Sequence, residues 1–204
     1  TSVALIFLLK NQKLIFVALV LLATTFHNTA LIFIFALPLV AIHLSPLQAL
    51  GIFITLFITP FFFVESLLTV NDILGLTYLN QYADDASSSN PLVALVAIMT
   101  PLIALFFWPK SKGNNAAMYS TFFLLSAVAM WFSLAALNFQ MLGRLGLYFN
   151  IYIIILLPNI IERIRPINIR WVARVSMFFL AICFFSISTP GNSIGIDNYT
   201  FWTF

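Results

Sequence analysis

The sequence predicts an all-α protein of the membrane, a polytopic helical bundle, from its composition and the form of its apolar runs. Hydrophobic residues make up 62% of the 204 residues, charged residues only 7%, and the mean hydropathy is +1.07. A soluble domain carries about 25% charged residues. The apolar runs are long and lack the period-2 alternation of barrel strands, and irregular backbone cannot face lipid. The spanning elements are therefore expected to be helices.

The placement of charge predicts the orientation of the bundle. Nearly all the cationic residues fall in three clusters: Lys10 with Lys13, Lys110 with Lys112, and Arg163, Arg165 and Arg170 with Arg174. Because positively charged turns stay on the cytoplasmic side, these three turns are predicted to be inside. All the acidic residues except Glu162 lie in residues 65–90 or in the C-terminal tail, and these two segments are predicted to be outside.

Seven predicted spans connect these turns, after a partial N-terminal helix that Lys10 ends. In chain order they are residues 14–26, 30–42, 47–64, 91–108, 118–139, 145–161 and 171–187, with an outer loop around residues 65–90. A single transmembrane domain over residues 1–204 accounts for all of them. Since the chain opens at Thr1 and enters an apolar run that is soon cut short, we expect a fragment that lacks the N-terminal half of the protein.

The division between the first two spans, at His27, follows from the charge pattern. Lys13 is predicted inside and Glu65 outside, so an odd number of spans must separate them. The span 14–26 is then only about 20 Å long, against roughly 30 Å of hydrocarbon, and must thin the bilayer or lie inside the bundle. One long span followed by a re-entrant segment is the alternative.

Arg144 is the one basic residue that this topology places outside, at the start of the span 145–161. A guanidinium has five donors in a fixed fork and can bind a phosphate or pyrophosphate at the outer leaflet. Tyr148 follows at i+4 on the same helical face and can donate to the same oxygens or stack on a sugar ring. The alternative is that Arg144 is an interfacial arginine whose side chain only reaches for water.

His27 lies at the outer tip of the predicted hairpin, followed by Asn28 and Thr29. A neutral imidazole can accept a proton from a sugar hydroxyl near pH 7, which makes His27 a candidate general base. The alternative is that these polar residues only satisfy backbone groups exposed where the helix breaks. His43, beside a predicted inside turn, is given no functional role.

The predicted outer loop combines aromatic rings with carboxylates. Its candidate substrate-binding residues are Asp72, Tyr78, Tyr82, Asp84 and Asp85. Rings can stack on the apolar faces of sugars while polar groups bind the hydroxyls. The adjacent Asp84 and Asp85 could also hold a divalent cation, but without further patterned oxygen ligands such a pair is usually a solvated loop, so we expect no metal site.

Three short motifs occur in an order and spacing that resemble a known family. They are Phe26-His27-Asn28-Thr29-Ala30-Leu31, then Tyr78-Leu79-Asn80-Gln81-Tyr82, then Arg144-Leu145-Gly146-Leu147-Tyr148-Phe149 running on to Leu156-Leu157-Pro158. With the topology, they are similar to the C-terminal half of the EpsG-type family. That family belongs to the wider group of O-antigen, capsule and exopolysaccharide polymerases called Wzy.

The resemblance implies a glycosyltransferase-type polymerase that joins oligosaccharide repeats carried on undecaprenyl pyrophosphate. The reaction would take place at the outer side of the bacterial plasma membrane, with His27 and Arg144 in catalysis and Tyr148 in substrate binding. It also implies membrane lipid, a chain-length regulator and a flippase as partners. No cofactor and no nucleic acid are expected.

Two other classes of protein are weighed against a polymerase. Coupled transporters and lipid flippases usually carry ionisable groups or broken helices near the bilayer midplane. No predicted span interior contains Asp, Glu, Lys or Arg, and no inverted repeat is visible. An assembly subunit without chemistry would leave Arg144 unexplained. The polymerase is therefore the preferred function, with the transporter as the alternative.

The predicted orientation can be tested with single cysteines in a background in which Cys183, the only native cysteine, is replaced by Ala. A cysteine at Ser88, in the predicted outer loop, should react with a membrane-impermeant thiol reagent in intact cells. One at Ser111, between the lysines of a predicted inside turn, should react only after the cells are opened. The reverse pattern of labelling would invert the topology.

Overall fold

The structure, a computed structural model, describes residues 2–74, 91–109 and 114–188, and the regular elements of these ranges are all helices. They are α1 (Ser2–Leu9), α2 (Lys13–Phe26), the 3₁₀ helix η1 (Asn28–Phe35), α3 (Ala36–Ala41), α4 (Pro46–Leu74), α5 (Pro91–Phe106), α6 (Asn114–Ala135), α7 (Gln140–Ile161) and α8 (Ile167–Ser188). The predicted all-α class is confirmed. The chain forms two compact units, Thr1–Ile160 and Ile161–Phe204; the single-domain prediction stays a prediction.

Helix length and composition identify a membrane protein. Three segments within the described residues are long and apolar enough to cross a bilayer: Pro46–Leu67, Ala116–Ala135 and Leu142–Ile161. Shorter apolar helices cover Lys13–Phe26, Asn28–Ala41 and Pro91–Phe106. Large apolar side chains also lie on the surface of the bundle, where a soluble protein would place polar ones.

The chain reverses direction at His27, between α2 and η1. The rings of Phe16 in α2 and Phe33 in η1 have centroids 5.7 Å apart. In one straight helix, residues with this separation in sequence would lie about 25 Å apart. His27 makes the reversal with an extended backbone, φ −151° and ψ 106°. The predicted division at His27 is therefore confirmed, and the alternative of one long span is wrong.

The second arm of this hairpin is lengthened by its 3₁₀ geometry. η1 contains eight residues, whereas 3₁₀ runs longer than three or four are uncommon. A 3₁₀ helix rises about 2.0 Å per residue instead of about 1.5 Å, so η1 and α3 together extend roughly 25 Å. This brings the arm nearer to the thickness of the hydrocarbon core than an α-helix of the same length.

The predicted outer loop begins later than expected, because α4 continues through residues 65–74. The prediction ended the span at Val64, where the apolar run meets Glu65. Polarity alone does not stop a helix, and no glycine or proline follows Pro60 until Gly75. The hydroxyl of Thr69 donates to the carbonyl of Glu65 at 2.9 Å, as it does within a continuous helix.

The relative directions of the helices agree with the alternating path that the charge clusters predict. The backbone N–H of Leu44, before α4, donates to Oγ of Ser120 near the start of α6. At the other ends of these two helices, Val64 packs in one cluster with Ala135 and Phe139. α4 and α6 are therefore parallel, as they must be if both run outward.

Helix α6 is the centre of the first unit, and 72% of its span is buried. Its small polar side chains bond to their own helix: Ser126 donates to the carbonyl of Phe123 at 2.8 Å, and Ser120 to that of Ala116 at 3.0 Å. The protons of these two serine hydroxyls are thus satisfied within α6. The helix can therefore be surrounded on all sides by apolar packing.

Side-chain hydrogen bonds join α6 to α4 and α5. Nε1 of Trp131 donates to the hydroxyl of Thr59 in α4 at 3.0 Å. The hydroxyl of Tyr119 donates to the carbonyl of Ala104 at 2.8 Å, in the last turn of α5 where backbone carbonyls lack intrahelical partners. Bonds of this kind between membrane helices contribute about 0.6 kcal/mol each on average. They fix the register of three helices.

The second unit contains α8 and the turn before it. Glu162 forms ion pairs with Arg170 and Arg174. Arg170 also donates from Nε and Nη2 to the carbonyl of Ile164, at 2.9 and 2.8 Å. The Arg174 guanidinium lies 5.5 Å from the ring of Trp171. This turn is therefore held by charge and hydrogen bonds.

Two glycines allow a test of the packing between α6 and α7. A Cβ added at Gly146 would lie 3.0 Å from Cβ of Phe132, whereas one added at Gly51 in α4 would meet nothing within 4 Å. Overpacking costs about 1–3 kcal/mol, and alanine in a helix gains only about 0.5–1 kcal/mol over glycine. Gly146→Ala should therefore lower the Tm of the protein in detergent, while Gly51→Ala should keep or raise it. Equal Tm values for the two variants would contradict the close approach.

Candidate functional site

Three polar side chains meet at the end of the bundle where the chain reverses. The hydroxyl of Thr29 lies 2.9 Å from the hydroxyl of Tyr148, in α7. The same Thr29 oxygen lies 3.1 Å from Nδ1 of His27. The rings of His27 and Tyr148 are 6.5 Å apart and nearly perpendicular. Two residues that the sequence proposed separately, His27 and Tyr148, are therefore joined through a third, Thr29.

The end of α2 positions His27. The hydroxyls of Thr24 and Thr25 donate to the carbonyls of Leu21 and Leu22, at 2.6 and 2.7 Å. Hydroxyls that bond back to their own helix tend to bend and weaken it. The helix ends at Phe26, and the exposed His27 that follows it makes no side-chain capping bond to η1. Its ring lies against Thr29 and Tyr148 and does not cap the helix that follows.

Aromatic packing positions Tyr148 beside Thr29. Phe33 in η1 contacts two rings of α7, Phe149 and Tyr152, each with its centroid 5.8 Å away, and the second pair is stacked. On the other side, Phe149 stacks on Phe132 of α6 at 5.7 Å. Tyr148 lies next to Phe149 and is half-buried. The register between η1 and α7 is thus fixed by large rings, and the polar contact follows from it.

Arg144 lies one helical turn before Tyr148 on α7, about 6 Å along the axis. Its side chain is exposed, and within the described ranges it makes no ion pair. Gly143, beside it, lies close to the turn after α6, since a Cβ there would lie 3.2 Å from Cβ of Ala136. Arg144 therefore projects from a rigid helix start, at the same end of the bundle as the Thr29 cluster.

The predicted loop residues have no described geometry. Tyr78, Tyr82, Asp84 and Asp85 lie outside the described residues. Asp72 lies near the end of α4, but its side chain is also outside the description. Their predicted role in substrate binding stays a prediction. His43, which was given no function, has its Nδ1 3.2 Å from the carbonyl of Ala41 in its own turn.

Thr29 is the residue that sequence reasoning did not place in the site. It was considered only as a group that satisfies backbone at the helix break. The sequence shows that Thr29 follows His27 by two residues. It does not show the contact with Tyr148, which lies 119 residues further along the chain. Gly146 was likewise seen only as part of a motif, and its close contact with Phe132 requires the fold.

The fold and the cluster together define a class: a helical membrane protein with a hydrogen-bonded cluster of polar side chains at one end of its bundle and an arginine one turn away. The sequence profile of the EpsG family matches residues 2–201, and the chain belongs to the EpsG family. No curated protein and no solved structure matches it. The resemblance seen in the motifs is thereby confirmed, and the protein is a membrane protein of polysaccharide biosynthesis.

Proposed function

We propose that this protein is a glycosyltransferase-type polymerase that joins oligosaccharide repeats carried on undecaprenyl pyrophosphate. The observation that carries the proposal is the contact of His27 and Tyr148 with Thr29, beside Arg144. These residues fall on the motifs through which the chain resembles the polymerases. They also supply the groups that the reaction needs, a base for one sugar hydroxyl and a cation for the leaving group.

In the proposed reaction, one hydroxyl of the acceptor repeat attacks the anomeric carbon of the donor repeat. A new bond forms between that oxygen and that carbon, and the bond from the carbon to the pyrophosphate oxygen breaks. The undecaprenyl pyrophosphate leaves with the electron pair of the broken bond. The proton of the attacking hydroxyl ends on His27, which becomes an imidazolium and later releases it to water. No oxidant, metal or cofactor is required for this balance.

Arg144 is proposed to bind the pyrophosphate. The leaving group already carries negative charge, so it needs charge stabilisation more than a general acid. A guanidinium can donate two parallel hydrogen bonds to neighbouring phosphate oxygens. The exposure of Arg144 at the start of α7 fits such a role, since the phosphate of a lipid carrier lies at the membrane surface. We propose that this surface is on the outer side of the plasma membrane.

The surface of α7 beside the cluster suits a lipid-linked substrate. Leu147, adjacent to Tyr148, is 67% exposed, and Ile154, about two turns further on, is 69% exposed. An apolar face of this kind lies against lipid, where the polyprenyl chain of the carrier would also lie. The sugars would then project beyond the bundle end, toward the partner proteins that the family resemblance implies.

A transporter is less well supported by the described spans. Their charged residues are Glu65 in Pro46–Leu67 and Arg144 in Leu142–Ile161, each within three residues of a span end. Coupled transporters commonly hold ionisable groups near the bilayer midplane. In the described spans the charged groups lie near the span ends instead, which supports a polymerase better than a transporter.

Replacing His27 by Gln tests the proposed base, because Gln can form hydrogen bonds but cannot take the proton. A lost general base typically costs about 100- to 10,000-fold in rate, and we expect a loss of this size in kcat. The measurement is polymer formed from purified lipid-linked repeat by the protein in nanodiscs. His43→Gln is the matched control and should keep full activity. Wild-type turnover in the His27 variant would remove the base from the proposal.

Replacing Arg144 by Lys tests the pyrophosphate contact. Lys keeps the charge but loses the second parallel hydrogen bond, and at roughly 1.5 kcal/mol or more for a bond to a charged group the rate should fall at least about tenfold. An interfacial anchor needs only a long stem and a positive charge, so it would tolerate Lys. Arg165→Lys, an exposed arginine outside the site, serves as the control. If both variants polymerise at the wild-type rate with matched expression and Tm, Arg144 is an anchor.

A further inference from the structure

The position of the Thr29 hydroxyl between two other polar groups raises the question of which group donates to which. Thr29 Oγ1 lies 3.1 Å from Nδ1 of His27 and 2.9 Å from the hydroxyl of Tyr148. A threonine hydroxyl has one proton and two lone pairs. It can therefore donate to only one of its two neighbours, and the direction of the chain decides what each end can offer to a substrate.

If Thr29 donates to Tyr148, Nδ1 of His27 must carry a proton and donate to Thr29. The unprotonated Nε2 of the exposed imidazole is then the nitrogen that could accept a proton from a substrate. If Thr29 donates to His27, Nδ1 is the acceptor, the proton of the neutral ring is on Nε2, and the Tyr148 hydroxyl donates to Thr29. The lone pair that remains on the Tyr148 oxygen is then the acceptor that a sugar hydroxyl can approach.

Donor and acceptor strengths favour the second direction. A phenol is a stronger acid than an alkyl hydroxyl and is the better donor, while an imidazole nitrogen is a stronger base than a hydroxyl oxygen and is the better acceptor. The chain from phenol to hydroxyl to imidazole places the best donor at one end and the best acceptor at the other. Neutral histidine side chains in water also prefer the tautomer with the proton on Nε2.

We infer that Tyr148, Thr29 and His27 form a directed proton relay in which the Tyr148 oxygen, and not the imidazole, receives the proton of the acceptor sugar. As that proton reaches the Tyr148 oxygen, the phenolic proton passes to Thr29 Oγ1, and the Thr29 proton passes to Nδ1 of His27. One proton is transferred in total, Tyr148 and Thr29 stay neutral, and His27 becomes the imidazolium. The catalytic part of this inference rests on the proposed function. The direction of the hydrogen bonds does not depend on that function.

The three residues have different roles in the relay. Tyr148 is the catalytic residue that touches the sugar, and it is half-buried beside the aromatic contacts that fix α7. Thr29 carries the proton and positions both neighbours. His27 stores the proton, and its ring is exposed. This explains why His27 contacts Thr29 through Nδ1.

The chain contains its own reference for the tautomer of His27. His43 is the only other histidine, and its Nδ1 lies 3.2 Å from the carbonyl of Ala41. A carbonyl can only accept, so Nδ1 of His43 must carry the proton when the ring is neutral. The relay therefore predicts opposite tautomers for the two histidines of one protein.

Solid-state ¹⁵N NMR of histidine-labelled protein in lipid bilayers at pH 9, where ordinary imidazoles are neutral, tests the direction without any substrate. His43→Gln assigns the two sets of signals. The expected result is a protonated Nε2 for His27 and a protonated Nδ1 for His43. A protonated Nδ1 on His27 would overturn the relay and leave His27 able to act as a base directly, so the proposed function could still stand.

Kinetics in nanodiscs test whether the relay is used. Thr29→Val keeps the shape of the side chain but cannot pass a proton, and its kcat should fall about as far as that of His27→Gln, by 100-fold or more. Thr29→Ser restores the hydroxyl and should recover most of the rate. The double variant Thr29→Val/His27→Gln should be no slower than either single variant, because the effects of substituting residues that act as one unit are strongly non-additive.

The outcomes separate the relay from the proposed function. Thr29 would be only a structural contact if the losses in kcat multiply in the double variant. The same conclusion would follow if Thr29→Val changes KM and leaves kcat near the wild-type value. If the wild-type protein forms no polymer from lipid-linked repeat, the proposed function fails, while the NMR result still decides the direction of the hydrogen bonds. Because that spectrum uses the wild-type protein, it does not depend on whether the Thr29 variants fold.

Discussion

The packing of Phe33 against α7 is the interaction on which the candidate site depends. Phe33 stacks on Tyr152 and also contacts Phe149, and both pairs are 5.8 Å apart between centroids. Thr29 lies four residues earlier in the same short helix, so this packing sets the position along α7 at which its hydroxyl meets Tyr148. A hydrogen bond contributes only about 1 kcal/mol net. The burial of three rings therefore positions the polar groups, and the polar contacts refine the geometry.

Apolar surroundings explain how the bundle treats its other polar groups. The hydroxyl of Ser126, which is buried in α6, donates to a carbonyl of its own helix, because no water is available to satisfy it there. Within the described residues, the hydroxyl of Tyr152 and Oδ1 of Asn150 are buried without a hydrogen-bond partner. Such groups cost about 1–3 kcal/mol each. Both lie within about a turn of Tyr148, so α7 carries its least satisfied polar groups beside the candidate site.

The same separation of polar and apolar regions accounts for the place of the site in the bundle. A helix that crosses lipid can present reactive groups at its end, where water and sugars can reach them, while its flank remains available to a lipid chain. The start of α7 combines the two, with Arg144 and Tyr148 beside the exposed Leu147. In the proposed function, this is the boundary at which a lipid carrier and its sugars would both be within reach.

The sequence by itself determined the all-α class, the reversal at His27 and the family, because hydropathy, charge clusters and short motifs are local properties of the chain. It also pointed to His27, Tyr148 and Arg144. It missed the extension of α4 past Glu65, since a helix ends at a breaker and not where its apolar run ends. Only the tertiary structure decided that Thr29 joins His27 to Tyr148, because that contact depends on ring packing between segments 119 residues apart in the chain.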